Sequence, residues 1–477
     1  PASQTVSVTS ATSLVGTYVY VADWMALYGV TDLTADDDAD GVINRDEFAA
    51  GTDPTIPNTW HLAEGATGSF FRERIALANP GTVPAEITVT FLRERLDPIV
   101  HSYTIPARSR ETLIVNDIPG LESGNVSADI TTQRGGVIVE RTMSWGGSDL
   151  TDSAHTGKAL AGLSTNWYFA EGEANAFDTY LTFNNGQSVE VTATVTYLLE
   201  TGETVLDSVR VPASSRLTVA SHQLAGLAGR AFSIKVSASL PIMVERSMYM
   251  SAGVQYYKVG HESAGVTAPA TSWFVAEGRT GGFFDEYLTI ANPNPTAARA
   301  TIRFLLPTGQ VVTWSDDLAA SSRKTVFVDE IPGLEDTEVS AAVSATAPIV
   351  VERSMYWAGN WRQWYEGHNT VAATSTGTRW ALAEGEAGGA RNVQSYVLLA
   401  NPNDQDAKVT ITVLRDGREP MLYGATVAAN SRMTIGSCNM PLDPGERFGT
   451  VVESTNGVGI VVERAMYWAG PGRFWTA

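Results

Sequence analysis

Residues 36–47 carry the densest group of side chains that could bind a ligand. Acidic or amide side chains recur at alternate positions around Gly41, which allows a sharp bend. Calcium takes about six to eight oxygen ligands, and carboxylates at alternate positions of a tight turn converge on one ion. A solvated acidic turn is the alternative. The spacing predicts a Ca²⁺ site whose ligands are Asp36, Asp38, Asp40, the Val42 carbonyl, Asn44 and Glu47.

Two helices are expected to flank this loop. Between Val15 and Gly29 apolar residues recur at steps of three and four, which predicts an amphipathic helix that ends at Gly29. Residues 47–54 read EFAAGTDP and predict a short second helix that stops at Gly51.

Residues 18–55 resemble the calcium loops of exported bacterial proteins that are related to dockerin and thrombospondin type 3 loops. The shared order is helix, Asp-x-Asp-x-Asp-Gly at residues 36–41, short helix, and Gly-Thr-Asp-Pro at residues 51–54. The resemblance implies a structural calcium ion beside a surface module. A sensor role is disfavoured, because sensors usually pair two such loops and this sequence has one.

Two marker stretches recur four times and divide the rest of the chain into tandem units. Trp-x-x-Ala-Glu-Gly opens each unit at Trp60, Trp167, Trp273 and Trp380, which are 107, 106 and 107 residues apart, and a Val-Glu-Arg stretch closes each unit. Units of this length are long enough for a core of their own. The predicted segments are a strand-like tail at 1–13, the calcium segment at 14–59, and units with their linkers at 60–166, 167–272, 273–379 and 380–477.

Short alternating stretches within each unit predict β-strands. In unit 3, six or seven such stretches follow one another every 8 to 14 residues, separated by Gly, Pro and Asn. This pattern is typical of an antiparallel β-sandwich. We therefore expect a mainly β chain of four tandem immunoglobulin or fibronectin-like sandwiches, joined by linkers as beads on a string and preceded by a small helix–calcium loop–helix segment.

Charged residues recur at fixed places in the units. An arginine between apolar neighbours of the closing strand needs a partner if it is buried, and we expect that partner to be the glutamate of Ala-Glu-Gly; exposure of both at the sheet margin is the alternative. As this arrangement recurs in every unit, we interpret it as framework rather than active-site chemistry. The predicted pairs are Arg141 with Glu64, Arg246 with Glu171, Arg353 with Glu277 and Arg464 with Glu384.

Two further residue types recur. A Ser-Arg pair begins one strand of each unit, and we expect the hydroxyl to close a turn and the arginine to cap carbonyls or to pair locally. Each linker holds one histidine, for which a junction hydrogen bond is favoured over a metal ligand, because a metal needs several clustered donors and only Glu262, in one copy, is adjacent. The pairs begin at Ser109, Ser215, Ser322 and Ser431, and the histidines are His155, His261 and His368.

The order of these markers resembles a tandem repeat family of exported bacterial surface proteins. Trp-x-x-Ala-Glu-Gly, Asn-Pro, Ser-Arg, Val-Glu-Arg-x-Met-Tyr and the histidine linker follow one another across residues 60–477. Unit 2 departs from Asn-Pro at residues 184–186, and unit 1 has Ser144 in place of the tyrosine. The resemblance implies β-sandwiches and a location at the cell surface.

Composition narrows the class of function. The chain has 32 basic and 52 acidic residues, a net charge of −20, and no cluster of positive charge that would favour nucleic acid or an anionic membrane surface. No apolar run approaches the ~20 residues of a membrane span. Cys438 is the only cysteine, so an intramolecular disulfide is impossible. This acidic, Gly-rich and Lys-poor composition predicts an extracellular bacterial surface protein.

The sequence favours a structural protein over an enzyme. It has no Gly-x-Ser-x-Gly elbow, no phosphate-binding glycine loop and no His-Glu-x-x-His zinc motif. We expect a calcium-stabilised subunit of a surface filament, fibre or layer whose partners are copies of itself. The alternative is an adhesive array that binds cell-wall or extracellular polysaccharide by stacking sugars on the linker aromatics Tyr256, Tyr257, Trp361 and Trp364.

Residues 1–13 alternate around Val6 and Val8, as a strand does. Nothing before them offers a hairpin partner. A frayed terminus is one interpretation. The other is a strand that completes a sheet elsewhere, including head-to-tail docking in a neighbouring molecule, because an exposed sheet edge accepts an extended segment.

Overall fold

The computed structural model describes residues 21–38, 40, 42–146, 153–250, 257, 259–357, 364, 366–416 and 418–468. Two helices lie in the calcium segment, α1 at Val21–Tyr28 and α2 at Asn44–Ala50. They end at Gly29 and Gly51, as predicted, and both glycines have the positive φ typical of a helix C-terminus, +72° and +78°. The predicted tail at 1–13 and the first turn of the predicted helix lie outside the described residues.

Unit 1 is a sandwich of two antiparallel sheets. The first sheet has the order β1-β7-β4-β5, with β2 beside β7, and the second has the order β6-β3-β8-β9. The strands are β1 Thr59–Leu62, β2 Ala66–Thr67, β3 Phe71–Asn79, β4 Ala85–Arg93, β5 Leu96–Ile105, β6 Ser109–Ile114, β7 Gly124–Arg134, β8 Ile138–Trp145 and β9 Ser153–Lys158.

Units 2 and 3 repeat this topology with two changes: the described residues include no strand equivalent to β2, and the strands equivalent to β7 and β8 are fused. The fused strands, β15 and β22, pass from the first sheet into the second. The strands of unit 2 are β10 Ser164–Phe169, β11 Phe177–Asn185, β12 Val191–Leu199, β13 Thr204–Val211, β14 Ser215–Ala220, β15 Phe232–Met250 and β16 Gly260–Ala264. Those of unit 3 are β17 Ala270–Val275, β18 Phe284–Asn292, β19 Ala298–Leu305, β20 Val311–Leu318, β21 Ser322–Phe327, β22 Ser340–Trp357 and β23 Glu366–Val371.

Unit 4 has the sheets β24-β30-β27-β28, with β25 beside β30, and β29-β26-β31. Its strands are β24 Arg379–Leu382, β25 Glu386–Ala387, β26 Gln394–Asn401, β27 Ala407–Arg415, β28 Arg418–Val427, β29 Ser431–Gly436, β30 Glu446–Ser454 and β31 Val461–Tyr467. A short 3-10 turn follows the Ser-Arg strand in each unit, at Val115–Asp117, Ser221–Gln223, Val328–Glu330 and Ser437–Asn439. The predicted fold class, four immunoglobulin or fibronectin-like sandwiches, is confirmed.

Each sandwich buries its own apolar core between its two sheets. Asn79, the last residue of β3, stabilises the turn that follows it. Its side-chain amide donates to the Val83 and Ile105 carbonyls, at 2.8 and 3.1 Å. Asn185, Asn292 and Asn401 make the equivalent bonds. The asparagine therefore ties two strand ends together, and Asn185 explains why unit 2 keeps its fold without the following proline.

The segments between units are not the linkers that we expected. Each contains a strand, β9, β16 or β23, which pairs with the closing strand of the unit before it; His155, for example, lies opposite Met143. These three inner strands also pack together, because β16 contacts both β9 and β23. The hydrogen bonds of an antiparallel ladder hold each such segment to its unit.

The four units form a closed ring rather than separate beads. The first strand of each unit contacts the closing strand of the next one: β1 contacts β15, β10 contacts β22 and β17 contacts β31. The cycle is completed by β24 of unit 4, which contacts β8 of unit 1. The predicted arrangement of sandwiches as beads on a string is therefore wrong for this chain.

Candidate functional site

The acidic loop brings three carboxylates together between α1 and α2. The oxygen atoms of Asp36, Asp38 and Asp40 lie within 4.8 Å of one another. The Asp40 N–H donates to Asp36 Oδ1 and Asp38 Oδ1, at 3.1 and 3.2 Å, and the Val42 N–H donates to Asp40 Oδ1 at 2.8 Å. These bonds hold the turn in the conformation that a calcium loop requires.

Several buried oxygens around this turn have no hydrogen-bond partner among the described residues. Buried polar atoms nearly always have one, so a group of exceptions indicates a missing ligand. All are carboxylate or amide oxygens, the donors that calcium prefers. They are Asp38 Oδ2, Asn44 Oδ1, Glu47 Oε2 and Asn58 Oδ1.

The crowding of carboxylates in this loop also favours a bound cation. Burial and the neighbouring carboxylates of Asp40 and Glu47 raise the pKa of Asp38 to about 8. Burial and Asp40 likewise raise the pKa of Glu47 to about 7, although the Asn58 amide opposes this. A bound divalent cation would favour the ionised form of these groups. The side chains fit Ca²⁺, and the ion and its ligands, including the Val42 carbonyl, stay predictions.

Asn58 is the residue of this site that sequence reasoning missed. Its amide donates to Glu47 Oε1 at 2.9 Å, and its main-chain N–H donates to Asp40 Oδ2 at 2.6 Å. It lies 11 residues beyond the loop, outside the motif, which is why spacing did not indicate it. Its carbonyl accepts from the Thr132 N–H in unit 1 at 2.7 Å. Asn58 thus joins the loop to the first sandwich.

The calcium segment packs against unit 1 where β7 and β8 are separated. The Asp53 N–H donates to the Gly135 carbonyl at 3.1 Å, and the Gly135 N–H donates to the Gly51 carbonyl at 3.0 Å. Gly135 has a φ of +70°, so the strand breaks here. On the other side, Arg379 of unit 4 donates to Thr55 Oγ1 at 3.4 Å. The segment therefore contacts both units at the place where the ring closes.

The predicted glutamate–arginine pairs form in three units. Arg353 lies 2.9 Å from Glu277, Arg246 lies 3.6 Å from Glu171 and Arg141 lies 3.7 Å from Glu64. In unit 4, Arg464 instead donates to the Glu384 main-chain carbonyl at 3.3 Å. The Glu384 carboxylate pairs with Arg110 of unit 1 at 2.9 Å.

The glutamate of each Val-Glu-Arg stretch crosses the junction to the preceding unit. Glu352 of unit 3 lies 2.6 Å from Arg246 of unit 2 and accepts the Ala170 N–H at 2.8 Å. Glu245 reaches Arg141 in the same way, at 2.9 Å, and Glu463 reaches Arg353 at 3.5 Å. The ring closes with Glu140 of unit 1, which accepts from Arg464 and, at 2.8 Å, from the Glu384 N–H of unit 4.

Sequence reasoning did not indicate these inter-unit bonds. The available signal was the alternation of the closing strand, in which glutamate and arginine point to opposite faces although both lie among apolar residues. A strand with a buried charge on each face needs a partner on each side. That requirement predicts a neighbouring unit.

The junctions also explain the departure at Ser144. In the other units the equivalent tyrosine donates across the junction to the glutamate of Ala-Glu-Gly: Tyr249 Oη lies 3.0 Å from Glu64, and Tyr356 Oη lies 3.2 Å from Glu171. By the same pattern Ser144 would lie opposite Glu384. The Glu384 carboxylate pairs with Arg110 rather than with a tyrosine.

Local pairing was expected for the arginines of the Ser-Arg pairs, but Arg110, Arg323 and Arg432 pair with a neighbouring unit instead. Arg323 of unit 3 lies 2.9 Å from Glu200 of unit 2, and Arg432 of unit 4 pairs with Glu338 of unit 3. The predicted turn closure by the hydroxyl is confirmed in units 1 and 3, where Ser109 and Ser322 donate to carbonyls three residues earlier, both at 2.8 Å.

The junction histidines lie on the inner strands. His261 Nε2 lies 2.9 Å from Tyr356 Oη of the next unit, so the predicted junction hydrogen bond is confirmed at this position. Burial lowers the pKa of His261 to about 4, although Glu171 opposes this. His368 lies 3.1 Å from Glu277 of its own unit. Burial disfavours ionisation of Glu277, but His368 and Arg353 outweigh it and lower its pKa to about 2.

A second cluster of possible metal ligands lies at the junction of units 1 and 2. The ligand atoms of Glu64, His155 and Glu262 lie within 4.8 Å of one another. Arg141 already supplies a cation there, because its Nη2 lies 2.7 Å from Glu262 Oε2. Burial and Glu245 raise the pKa of Glu262 well above its usual range, and burial and Arg141 lower that of His155 well below its own. We interpret this cluster as a salt-bridge network.

The aromatics considered for sugar stacking are in contacts of their own. Trp364 is 8% exposed, and its ring stacks on Tyr356 with centroids 4.4 Å apart. Tyr257 packs against Tyr249 with a centroid distance of 5.0 Å. Trp361 and Tyr256 lie outside the described residues. The described members of the set therefore do not offer open stacking surfaces.

No family model and no curated protein matches the chain. Among solved structures, the crystal structure of Thermotoga maritima 1070 is 19% identical, with a TM-score of 0.21, over 22% of this chain and 96% of that one. Anabaena sensory rhodopsin transducer is 27% identical, with a TM-score of 0.17, over 19% and 95%. A tetra-tandem repeat from the extending region of a large adhesion protein is 12% identical, with a TM-score of 0.11, over 82% and 93%. TM-scores this low carry no functional inference for this chain.

Neither helix in the described part of the chain has the length and apolar character that crossing a membrane requires.

Proposed function

We propose that this chain is a calcium-stabilised structural protein of the bacterial cell surface, and that the closed ring of four sandwiches is the building block of a filament, fibre or layer. The proposal rests on one observation, which is that the recurring charged residues bind other parts of the framework. Glu-Arg, Ser-Arg and Ala-Glu-Gly all serve contacts within or between units. The most regular polar groups of the chain therefore hold the framework together.

The calcium site fits the same role. It lies at the contact of units 1 and 4, where a bound ion would stiffen the one junction that the described main chain does not cross. The acidic composition and the resemblance to exported repeat proteins support an extracellular location, where calcium is plentiful. The partners in this proposal are further copies of the ring.

Negative-stain electron microscopy of the purified protein, with calcium and with chelator, tests this proposal. We expect rings that associate into ordered filaments or sheets in calcium. Rings that stay isolated at high concentration in both conditions would contradict the assembly role. Saturable binding to cell-wall polysaccharide in a glycan pull-down would support the adhesive alternative instead.

A further inference from the structure

Unit 4 differs from the other three units at the centre of the ring. In units 1 to 3 the closing strand has a partner on both sides. One partner is β3, β11 or β18, and the other is the inner strand β9, β16 or β23. In unit 4, β31 pairs with β26, but no described strand lies beside Glu463, Arg464 and Ala465 on the opposite edge. Such an edge presents main-chain donors and acceptors that can pair with an extended segment.

A cavity lies beside this edge. Its walls include β31 and β24 of unit 4, β9 of unit 1 and β23 of unit 3, so it occupies the fourth inner-strand position. Glu463 and Arg464 are 14% and 11% exposed there. Their counterparts Glu352 and Arg246, beside occupied positions, are 0% exposed.

Residues 3–10 resemble the inner strand of unit 3 in sequence, although Ser3 stands where each inner strand has a histidine. They read SQTVSVTS, and the inner strand of unit 3 with its continuation, residues 368–375, reads HNTVAATS, which is identical at four of eight positions. The fifth position is small in every copy, and in unit 2 the reason is visible: a Cβ on Gly265 would lie 2.7 Å from the Phe169 ring. The residues at this position are Ala159, Gly265, Ala372 and, in the N-terminal stretch, Ser7.

The spacing of the chain agrees with this match. Each inner-strand histidine precedes the next opening tryptophan by 12 residues, whereas Ser3, its counterpart here, precedes Trp60 by 57. The excess is close to the length of the calcium segment, residues 14–59. The calcium segment is therefore placed like an insertion between an inner strand and the first strand of unit 1. It also contacts Arg379, the first residue of β24. The other three residues of β24 line the cavity.

We propose that residues 3–8 form the fourth inner strand of the same chain, pair antiparallel with β31 and so complete the set of inner strands at the centre of the ring. The register of unit 3, where Asn369 lies opposite Ser354 and Val371 opposite Glu352, places Gln4 opposite Ala465 and Val6 opposite Glu463. The inference goes beyond the proposed surface role and does not depend on it.

One side-chain contact follows from this placement. The residue at the Gln4 position reaches the arginine of the preceding unit in two junctions: Glu262 Oε2 lies 2.7 Å from Arg141, and Asn369 Oδ1 accepts from Arg246 at 3.1 Å. The Gln4 carbonyl would accept from Arg353 in the same way. Glutamine offers the same acceptor as Asn369.

A designed disulfide tests the register. In unit 3 the side chains of Asn369 and Ser354 touch at 3.0 Å, so cysteines at the equivalent Gln4 and Ala465 are close enough to bond. We would combine Q4C and A465C with C438S, oxidise mildly, and locate the crosslink by mass spectrometry. We expect near-complete crosslinking within one chain. The pair T142C and T156C in unit 1, whose hydroxyls lie 3.0 Å apart, calibrates the yield.

A second cysteine pair tests which face of β31 the N-terminal segment meets. Q4C with M466C places the second cysteine on the other face of β31, and little crosslink is expected. Crosslinks between two chains at low protein concentration would overturn the proposal in favour of exchange with a second copy. Absence of any crosslink, while the unit 1 pair forms its own, would also overturn it.

Hydrogen exchange provides a test that needs no cysteine. In the full chain the amide of Arg464, which by the register of unit 3 faces the open edge, should be protected, and deletion of residues 1–8 should raise its exchange rate at least tenfold. The amides of Glu463 and Ala465 face β26 and should change much less. A synthetic peptide of residues 1–10, added to the shortened chain, should restore protection. Unchanged exchange after the deletion would overturn the proposal even if the disulfide variants fail to fold.

Discussion

The charged side chains at the junctions lie where little water reaches them. Glu352 and Arg246 are both fully buried and lie 2.6 Å apart. Removing one partner of such a pair leaves an uncompensated buried charge, which costs far more than the loss of a surface pair. The junction pairs are therefore sensitive to single substitutions, whatever their net contribution to stability.

Glu352→Gln should lower the free energy of unfolding by about 3–5 kcal/mol, because it removes the nearer carboxylate of the buried Arg246 and leaves only Glu171, 3.6 Å away. The matched control is Asp317→Asn, which breaks an exposed pair with Arg299 and should cost about 0–1 kcal/mol. Urea denaturation of both variants measures the difference. Equal midpoints would show that the junction pair is not buried in solution.

Acid should loosen the junction of units 2 and 3 and that of units 3 and 4. The pKa of Glu277 is lowered to about 2 in the folded chain, so its contribution is present above its ordinary value of 4.5 and is lost as the pH falls toward 2. His261, lowered from 6.5 to about 4, contributes above pH 6.5 and loses that contribution as the pH falls through 4.

His261 therefore predicts falling stability from pH 6.5 downward, and Glu277 adds a further loss from pH 4.5 downward, on the order of 3 kcal/mol for Glu277 alone. Thermal unfolding at a series of pH values measures this, and Glu277→Gln should flatten the curve below pH 4.5. The exposed variant Glu330→Gln should keep the wild-type profile.

At the scale of elements, the sequence predicted what local rules determine. The strands of unit 3, the helix ends at Gly29 and Gly51, and the acidic loop follow from alternation, turn residues and ligand spacing. The fusion of two predicted strands into β22 and the strands within the predicted linkers did not follow, because pairing with a neighbour decides whether a short polar stretch is a strand. His155 and His368 lie in such stretches.

The calcium loop should stabilise the element that carries it. Calcium at about 100 times its Kd should add about 2.7 kcal/mol to the stability of the calcium segment, and chelator should remove that gain. Glu47→Gln should abolish it, because Glu47 closes the site. Asp46→Asn, which changes an exposed carboxylate in the same helix, should keep it. Calorimetric titration and thermal unfolding measure both, and binding by the Glu47 variant would contradict the ligand assignment.

At the scale of the whole molecule, closure distinguishes this ring from an open array of domains. Three of its junctions are crossed by described main chain, and the junction of units 4 and 1 is held by Glu140, Arg464, Arg110 and Glu384. Sequence periodicity indicated four units but carried no signal for their arrangement. The relation between neighbours was encoded in residues that looked internal to each unit.

Glu140→Arg should open the ring at this junction, since it places two arginines together. Small-angle scattering should show a larger radius of gyration than in the wild type. The control Glu352→Arg makes the same change where the main chain crosses, and should expand the molecule less. The double variant Glu140→Arg with Arg464→Glu should restore part of the compact form. An unchanged radius in Glu140→Arg would contradict the importance of this pair.

Closure of the ring also fixes the number of sandwich units in the chain. An open array gains length when a repeat is duplicated, and its end faces accept the extra copy. In this molecule each unit contacts two neighbours, and units 4 and 1 contact each other. A fifth sandwich would therefore find both of its neighbours already joined, and its buried glutamate and arginine would face solvent. Duplication of a single unit should therefore be penalised here, and growth of any larger assembly must proceed through the outer faces of complete rings.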